Sequence, residues 1–521
     1  MQMAPHQNTK AVLNLDVLYH IMSSATMPTI AAMMRVSHAL YRDGAKVILP
    51  RGVCLDDSKT VSSFVQFMMA EDGIRRHYLH KLEIFFNKLS SQDAHLLAQA
   101  IRSVPDLRSL KIVYAEWVLK HQRLLETFIG LEGLESIDLR SCGEHACRFL
   151  RESRSRFVSA TIHFPEAEEC SIPVELPDLT WKPILLLENS MSTLQVLHCS
   201  AWEADDGIEV HEEYVYPHVQ ELVMDDIWFP VTSAYVYSYP NLTCLRTETI
   251  HHQISDDETT SEAQRASNLA YQLRHGSWTK LQEIHAPFID VYLLGLTCCV
   301  PFLDVMDVGG SDISVRLSEV LSYLQPTRLV LSTKDNLLRT RDGIAQVFRS
   351  QGASKLKELE LTMASFCLGS DGAVVRDALD DLFVALGSLR LTSFKLTWDS
   401  DADHRRIGVL LKPGYHSDHK ERAEIQREES ADGEKQLPSS RVPVTPLEIF
   451  LLHVDVNELV AKIHRALPTL QTIEVAVRNV PRRNNGVITF SPAEMFDKYA
   501  ALEHGLRTTE YTDTAEASGR Q

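Results

Sequence analysis

Residues 131–143 read LEGLESIDLRSCG, and the same spacing of apolar residues, L-x-x-L-x-L, occurs in LHKLEI at 79–84 and LRSLKI at 107–112. The motif returns in eleven segments, whose first apolar positions are 79, 107, 134, 194, 219, 242, 281, 303, 356, 391 and 470. Close neighbours among these positions are 22 to 28 residues apart. Self-similarity at such an interval is the sequence signature of a repeat architecture.

Each motif predicts a short strand with one apolar face, because its last two apolar positions alternate with polar ones. The residues between motifs predict helical return segments. In 90–104, Ser90 or Ser91 can cap a helix whose apolar residues share one face, and 314–326 repeats the pattern and ends at Pro326. Two weaker motifs, SRFVSATIHFP at 155–165 and QPTRLVLST at 325–333, fill wider gaps in the series.

Strand, turn and helix at this interval match the leucine-rich repeat. A single repeat cannot bury both its strand and its helix, so stacked repeats are needed to create a continuous core, and an arc-shaped solenoid is expected. The alternative is an ordinary α/β protein. A doubly wound sheet would be expected to show near-continuous Val/Ile strands and a Gly-rich phosphate loop, and the sequence has neither.

The predicted organisation is an α/β leucine-rich-repeat solenoid over 76–500, with parallel strands and helical return segments, preceded by a small helical module. We expect a disordered N-terminus at 1–10, the helical module at 11–50 and a connector at 51–75. The charge-dense segment 399–445 predicts a flexible insertion, and 501–521 predicts a disordered tail.

Composition narrows the class of partner and the compartment. Acidic residues outnumber basic ones by 70 to 52, which argues against nonspecific binding to nucleic acid or to an anionic membrane. The longest apolar stretch, 291–303, is shorter than the roughly 20 residues of a membrane-spanning helix, and the N-terminus lacks a secretory pattern. Nine cysteines without a C-x-x-C pair suit reduced thiols. We therefore expect a cytoplasmic or nuclear protein.

The N-terminal module is predicted to be a pair of amphipathic helices. In LNLDVLYHIM at 13–22 the apolar residues fall on one face, with Asn14 as a cap, and in TMPTIAAMMRVSHALY at 26–41 the spacing repeats, with Thr26 as a cap. Isolated helices this short are marginal in water, so they must pack on the first repeat or on another protein.

Residues 13–44, LNLDVLYHIMSSATMPTIAAMMRVSHALYRDG, resemble the fungal form of the F-box. Asn14 stands where the F-box usually has proline. An F-box followed by irregular leucine-rich repeats is the layout of F-box/leucine-rich-repeat proteins of mushroom-forming fungi. The resemblance implies a noncatalytic substrate receptor of an SCF-type cullin-RING ubiquitin ligase. It implies six apolar anchors for the Skp1 adaptor, which are Leu15, Leu18, Ile21, Ile30, Met33 and Val36.

The alternative for the N-terminal helices is that they only cap the first repeat, as terminal repeats require, in a repeat scaffold without a ligase role. Adaptor binding separates the two hypotheses. In either case the protein is expected to act as a monomer within a hetero-complex, with no cofactor.

The target-binding face is predicted from the motif itself, because the fifth and seventh positions of L-x-x-L-x-L-x point away from the apolar residues. The predicted residues on this face are Glu83, Phe85, Lys111, Asp138, Arg140, His198, Asp225, Arg246, Glu248, His285, Asp307, Glu360, Lys395 and Glu474. Mixed charge and aromatic content is compatible with recognition of a protein, although fewer than a third of interface residues usually dominate affinity.

No catalytic or metal-binding motif is present in the sequence: there is no G-x-S-x-G elbow, phosphate-binding loop or H-E-x-x-H. The closest metal-like spacing is His416 and His419, with His404 nearby, in the segment predicted to be flexible. We expect no enzyme activity and no metal site, and we expect buried thiols at Cys142, Cys147, Cys298 and Cys299.

Overall fold

The computed structural model describes residues 14–102, 104–164, 182–200, 213–225, 231–248, 258–308, 313–333, 343–364, 372–399, 454–478 and 486–490. Two compact units are present. The first contains residues 1–242 and 249–252, and the second contains residues 243–248 and 253–521. The predicted insertion at 399–445, apart from Asp399 at the end of a strand, lies outside the described residues, as do both predicted disordered ends and His404, His416 and His419.

The first unit begins with helices and then alternates strands with helices. Its described strands are β1 (Val53–Leu55), β2 (Lys81–Ile84), β3 (Ser109–Ile112), β4 (Ser136–Leu139), β5 (Ser159–His163), β6 (Val196–Ser200) and β7 (Glu221–Asp225). Its described helices are α1 (Leu15–Ser24), α2 (Met27–Met34), α3 (His38–Ile48), α4 (Ser58–Met69), α5 (Ser91–Ile101), α6 (Ala115–Leu119), α7 (Gln122–Ile129), α8 (Glu144–Glu152), α9 (Pro183–Leu186) and α10 (Thr232–Ser238). Short 3₁₀ helices span Leu49–Arg51, Glu71–Tyr78 and Glu188–Ser190.

The strands of the first unit pair in chain order and run parallel from β1 to β7. Equivalent motif positions face each other, so Leu82 pairs with Leu110 and Leu110 with Ile137. The last two apolar positions of each motif are buried, while the residue between them is partly exposed. The prediction of parallel strands from the L-x-L alternation is confirmed, including the weaker motif that forms β5.

The second unit repeats this pattern with longer strands. They are β8 (Cys244–Glu248), β9 (Glu283–Pro287), β10 (Phe302–Val308), β11 (Arg328–Thr333), β12 (Glu358–Ala364), β13 (Ser393–Asp399), β14 (Thr472–Arg478) and β15 (Gly486–Phe490). The described helices are α11 (Glu258–His275), α12 (Phe288–Leu294), α13 (Ile313–Leu324), α14 (Ile344–Arg349), α15 (Gly372–Leu386) and α16 (Val456–Ala466), with a 3₁₀ turn at Gln351–Ala353.

Strands β8 to β14 of the second unit are parallel and in chain order, whereas β15 lies antiparallel to β14. The antiparallel end strand departs from the prediction of parallel strands alone. Each unit is thus α/β with parallel strands ordered as in the sequence, which is compatible with a solenoid. A sheet with strands shuffled out of chain order is absent from the described parts of both units.

Two predictions about element placement need correction. Strand β1 and helix α4 occupy the stretch 51–75, which was predicted to be a connector. The second N-terminal helix ends at Met34, and a third begins at His38, because Ser37 is extended and its hydroxyl accepts a bond from the Leu40 amide. The module therefore contains three helices rather than two.

The motif near 303 was assigned the wrong phase. Leu303 pairs with Ile284 of β9, so Leu303 occupies the fourth position of its motif and buried Val300 occupies the first. The outward residue of this strand is Asp304, which pairs with His285. Asp307 lies within a register irregularity between Val305 and Val308, and its side chain is not among those that the structure describes.

The return helices cover the apolar side of the strands in both units. Ser90 caps α5 through a bond from the Asp93 amide to its hydroxyl, as predicted for 90–104, and α13 ends at Leu324, just before Pro326. The described helices include none that is both long and apolar enough to cross a membrane.

Candidate functional surfaces

The three N-terminal helices have a small core of their own. Met22, Ile30, Met34, Leu40 and Val47 are buried together. Helices α2 and α3 approach closely at Gly44, where an added Cβ would lie 2.4 Å from Cγ of Met34. Glycine is therefore required at this crossing.

The outer surface of the same module carries several large apolar side chains. Leu15, Val17, Tyr19 and Ile21 of α1 are exposed by 39 to 49%, and Val36, between α2 and α3, is exposed by 77%. Among the described residues, seven of the thirteen exposed large hydrophobic side chains lie between positions 15 and 41. Exposed apolar side chains clustered in this way mark surfaces that bind other molecules.

The six predicted adaptor anchors divide into three groups. Leu15, Ile21 and Val36 are exposed, and Leu18 and Met33 are partly buried against the module core. Ile30 is fully buried in the module core with Met22 and Leu40, so its side chain is not on the outer surface, and its contact with a partner stays a prediction. Sequence analysis missed Val17 and Tyr19, because α1 is apolar on more than the one face used to predict it.

Two arginines join the helical module to the start of the repeats. The guanidinium of Arg51 donates hydrogen bonds to the carbonyls of Ser23 and Ala25, at the end of α1. Arg75 is 1% exposed and lies between the rings of Tyr41 and Phe67, 4.3 and 4.2 Å from their centroids. Since Tyr41 belongs to α3 and Phe67 to α4, Arg75 ties the module to the first repeat.

The outward strand positions of the first unit form a row of polar side chains. Glu83, Lys111 and Asp138 occupy equivalent positions on β2, β3 and β4. Lys111 Nζ lies 3.0 Å from Asp138 Oδ2, and Arg140 Nε lies 3.4 Å from Asp138 Oδ1. Burial raises the pKa of Asp138, but Arg140 and Lys111 together hold that pKa below its ordinary value. These predicted target-binding residues thus share one face and neutralise one another.

Further along this face, polar groups are partly withdrawn from solvent. The His163 and His198 rings meet edge to face, with centroids 4.9 Å apart. His198 Nε2 contacts Asp225, and His163 Nδ1 contacts the Ser200 hydroxyl. Burial, with His198 and Arg140 nearby, lowers the pKa of His163 to about 3, so this ring is neutral near pH 7. Phe85 is half-buried on the same face, with Lys111 Nζ 5.6 Å from its ring centroid.

The second unit carries a corresponding row. Arg246, His285, Asp304, Val330, Glu360, Lys395 and Glu474 follow one another in register from β8 to β14. Lys395 Nζ lies 3.0 Å from Glu360 and 3.6 Å from Glu474. The predicted residues Arg246, His285, Glu360, Lys395 and Glu474 are therefore brought to one face, with Glu248 at the end of β8. On β10, Asp304 occupies the outward position that the sequence analysis assigned to Asp307.

The thiols differ in exposure. Cys142 and Cys147 are buried as predicted, and burial raises the pKa of Cys147 to about 12 and that of Cys142 well above its ordinary value. Cys298 is only partly buried, and the prediction that Cys299 is buried is wrong, because its side chain is exposed. The first two thiols are consequently unreactive packing groups.

Comparison of the chain with protein-family models and with curated proteins finds no match.

Proposed function

We propose that this protein is a noncatalytic substrate receptor, in which the N-terminal helices bind a Skp1-type adaptor and, through it, a cullin. The single observation that carries the proposal is the concentration of exposed apolar side chains at positions 15–41. The resemblance of 13–44 to the F-box supplies the identity of the adaptor. The outward strand residues are proposed to hold the protein target.

The contact is proposed to be a helix laid in a groove of the adaptor. Leu15, Val17, Tyr19 and Ile21 present both aliphatic and aromatic groups along α1, and Val36 extends the apolar surface beyond α2. Methionine at Met27 and Met33 suits an adaptable interface of this kind. Because Met22, Ile30 and Met34 already form a core, the helices present this surface without needing the partner to fold.

The structure identifies variants that test binding without removing the core. Val36→Asp and Ile21→Asp place a carboxylate on exposed positions, where a dry contact would leave the charge unpaired. Val384→Asp is the matched control, because Val384 on α15 is 72% exposed, close to the 77% of Val36. Leu18 is a poorer choice because it packs against the module core.

The experiment is a titration of the purified full chain with a purified Skp1-type adaptor, in which calorimetry measures the heat of binding. The unchanged chain and Val384→Asp should bind with equal affinity. Val36→Asp and Ile21→Asp should each weaken binding at least tenfold, which is about 1.4 kcal/mol. Circular dichroism checks that all four proteins are folded. No binding by the unchanged chain would reject the adaptor role.

The second candidate function is a repeat scaffold whose N-terminal helices cap the first repeat. It is favoured by the packing of Arg75 between Tyr41 of α3 and Phe67 of α4, which makes the module continuous with the repeats. Under this hypothesis the adaptor does not bind, and Val36→Asp has no effect on any interaction.

A further inference from the structure

Three potential metal ligands converge on neighbouring strands of the second unit. Cys244 begins β8, and Glu283 begins β9 in direct register with it. His285 lies two residues along β9, with its side chain on the same face. The thiol sulfur, one carboxylate oxygen and one ring nitrogen lie within 4.8 Å of one another.

The histidine is already oriented for ligation. His285 Nδ1 lies 3.4 Å from Asp304 Oδ2 on β10, while His285 Nε2 lies 3.5 Å from Glu283 Oε2. The Phe302 ring packs edge to face on His285, with centroids 5.1 Å apart, and restricts its rotation. Metal-bound histidines typically have a carboxylate beside one ring nitrogen and the metal beside the other. Here Asp304 lies beside Nδ1, and the other potential ligands lie beside Nε2.

The distances suit a small tetrahedral ion. With Zn–N and Zn–O bonds of about 2.0–2.1 Å, ligand atoms of a tetrahedral site lie roughly 3.4 Å apart. The observed separation of His285 Nε2 and Glu283 Oε2, 3.5 Å, already has this value. A thiolate, an imidazole and a carboxylate are all ligands of Zn²⁺, whereas Ca²⁺ and Mg²⁺ prefer oxygen alone.

The charges around the cluster also favour a cation. A Cys244 thiolate, Glu283 and Asp304 would place three negative charges together. Arginines also occupy two adjacent strand positions, since Arg246 is in register with His285 and Arg328 is in register with Phe302. Arg328 is occupied elsewhere, since it lies 4.6 Å from the Phe302 ring centroid and 3.6 Å from Glu358.

We propose that Cys244, Glu283 and His285 bind one Zn²⁺ ion on the outward face of the second unit, with Asp304 positioning His285. Three protein ligands leave one coordination position for water or for a side chain of a bound protein. The site goes beyond the adaptor-binding function and does not depend on it. The sequence did not predict it, because the ligands lie on two strands and form no contiguous motif.

The test is a titration of the metal-stripped full chain with Zn²⁺ in competition with a chromophoric chelator. One ion per chain is expected to bind. Cys244→Ser, Glu283→Gln and His285→Ala should each lower the affinity at least tenfold, and Asp304→Asn should lower it about 10- to 100-fold. Co²⁺ in place of Zn²⁺ should show thiolate-to-metal absorption that disappears in Cys244→Ser.

Cys299→Ser and His275→Ala are the controls, because both side chains are exposed in the same unit and lie outside the cluster. Both should bind Zn²⁺ as the unchanged chain does. The Glu283 side chain is 48% exposed, so Glu283→Gln is expected to fold. This variant therefore tests the proposal even if another variant misfolds. Absence of binding, or binding that survives Glu283→Gln and His285→Ala, overturns the proposal.

Discussion

The N-terminal helices and the outward strand faces expose opposite kinds of surface. On α1 and beside α2 the exposed side chains include a group of large aliphatic and aromatic ones, which are Leu15, Val17, Tyr19, Ile21 and Val36. On the strands the exposed side chains are charged, and many contact an opposite charge on the same or the next strand, as Lys111 does with Asp138 and Lys395 with Glu360.

This difference separates two kinds of binding site. An exposed apolar surface gains free energy when a partner covers it, so under the proposed function the module would be the site of the more permanent contact. A row of charges that already neutralise one another gains little binding free energy from a partner of arbitrary charge. It favours partners whose charges are complementary to it. Under the proposed function, the helices would therefore bind the adaptor and the strands would select the target.

The largest effect is expected inside the strands. Leu82→Ala removes a fully buried side chain of β2 and should lower the free energy of unfolding by about 2–5 kcal/mol. Glu83→Ala, one residue later on the outward face, should change it by less than about 1 kcal/mol, because its ion pair with Lys81 is solvent-accessible. Urea unfolding measures both. Equal losses would contradict the assignment of the two faces.

The next effect concerns the link between the two regions. Arg75→Ala removes two cation–aromatic contacts and a buried side chain, and should cost about 2–3 kcal/mol. Hydrogen exchange should speed up in α1 to α3 more than in β3 to β7. Arg102→Ala is the control, because Arg102 is exposed just after α5. Uniform acceleration throughout the first unit would show that Arg75 does not act at this junction.

Sequence periodicity predicted the repeats better than the module. Alternation of apolar and polar residues fixes which side chains of a strand are buried, so Leu82 and Glu83 could be assigned to opposite faces before the fold was known. The prediction of motif positions is wrong near 303, because the apolar residues Leu303, Val305 and Met306 can be aligned with the motif in more than one way. Only the pairing of Leu303 with Ile284 decides among them.

Other features depend on contacts between distant residues and leave no local pattern. Strand β1 has three residues, too few to show an alternation, and is defined by its pairing with β2. The burial of Ile30 depends on α3, whose start at Ser37 was not predicted. The cluster of Cys244, Glu283 and His285 arises from the pairing of β8 with β9. Which apolar residues of α1 remain exposed likewise depends on tertiary packing.

A pH effect is expected at His163, which is buried at the end of β5 beside the row of the first unit. Since the pKa of His163 falls from 6.5 to about 3 on folding, the unfolded chain binds more protons between these pH values. Stability is therefore lost as the pH falls below about 6.5, by about 2 kcal/mol between pH 7 and pH 5. His163→Gln should remove this part of the pH dependence in thermal or urea unfolding. An unchanged slope would mean that folding does not lower the pKa of His163.

The smallest effect is expected at an ion pair of the second unit. Lys395→Met leaves Glu360 and Glu474 without their shared cation and should lower the free energy of unfolding by less than about 1 kcal/mol. The difference from the unchanged chain should shrink as salt is added. A loss of several kcal/mol that salt does not reduce would show that this row, like the buried leucines, holds the fold together.

The most direct test of the central claim is hydrogen–deuterium exchange of the full chain with and without a purified Skp1-type adaptor. The adaptor should protect the amides of α1 and α2, including those from Leu15 to Val36, and should leave β2 to β7 and β8 to β14 unchanged. If α1 and α2 exchange at the same rate with saturating adaptor present, or if protection falls only on the strands, the assignment of the apolar helices as the adaptor surface is wrong.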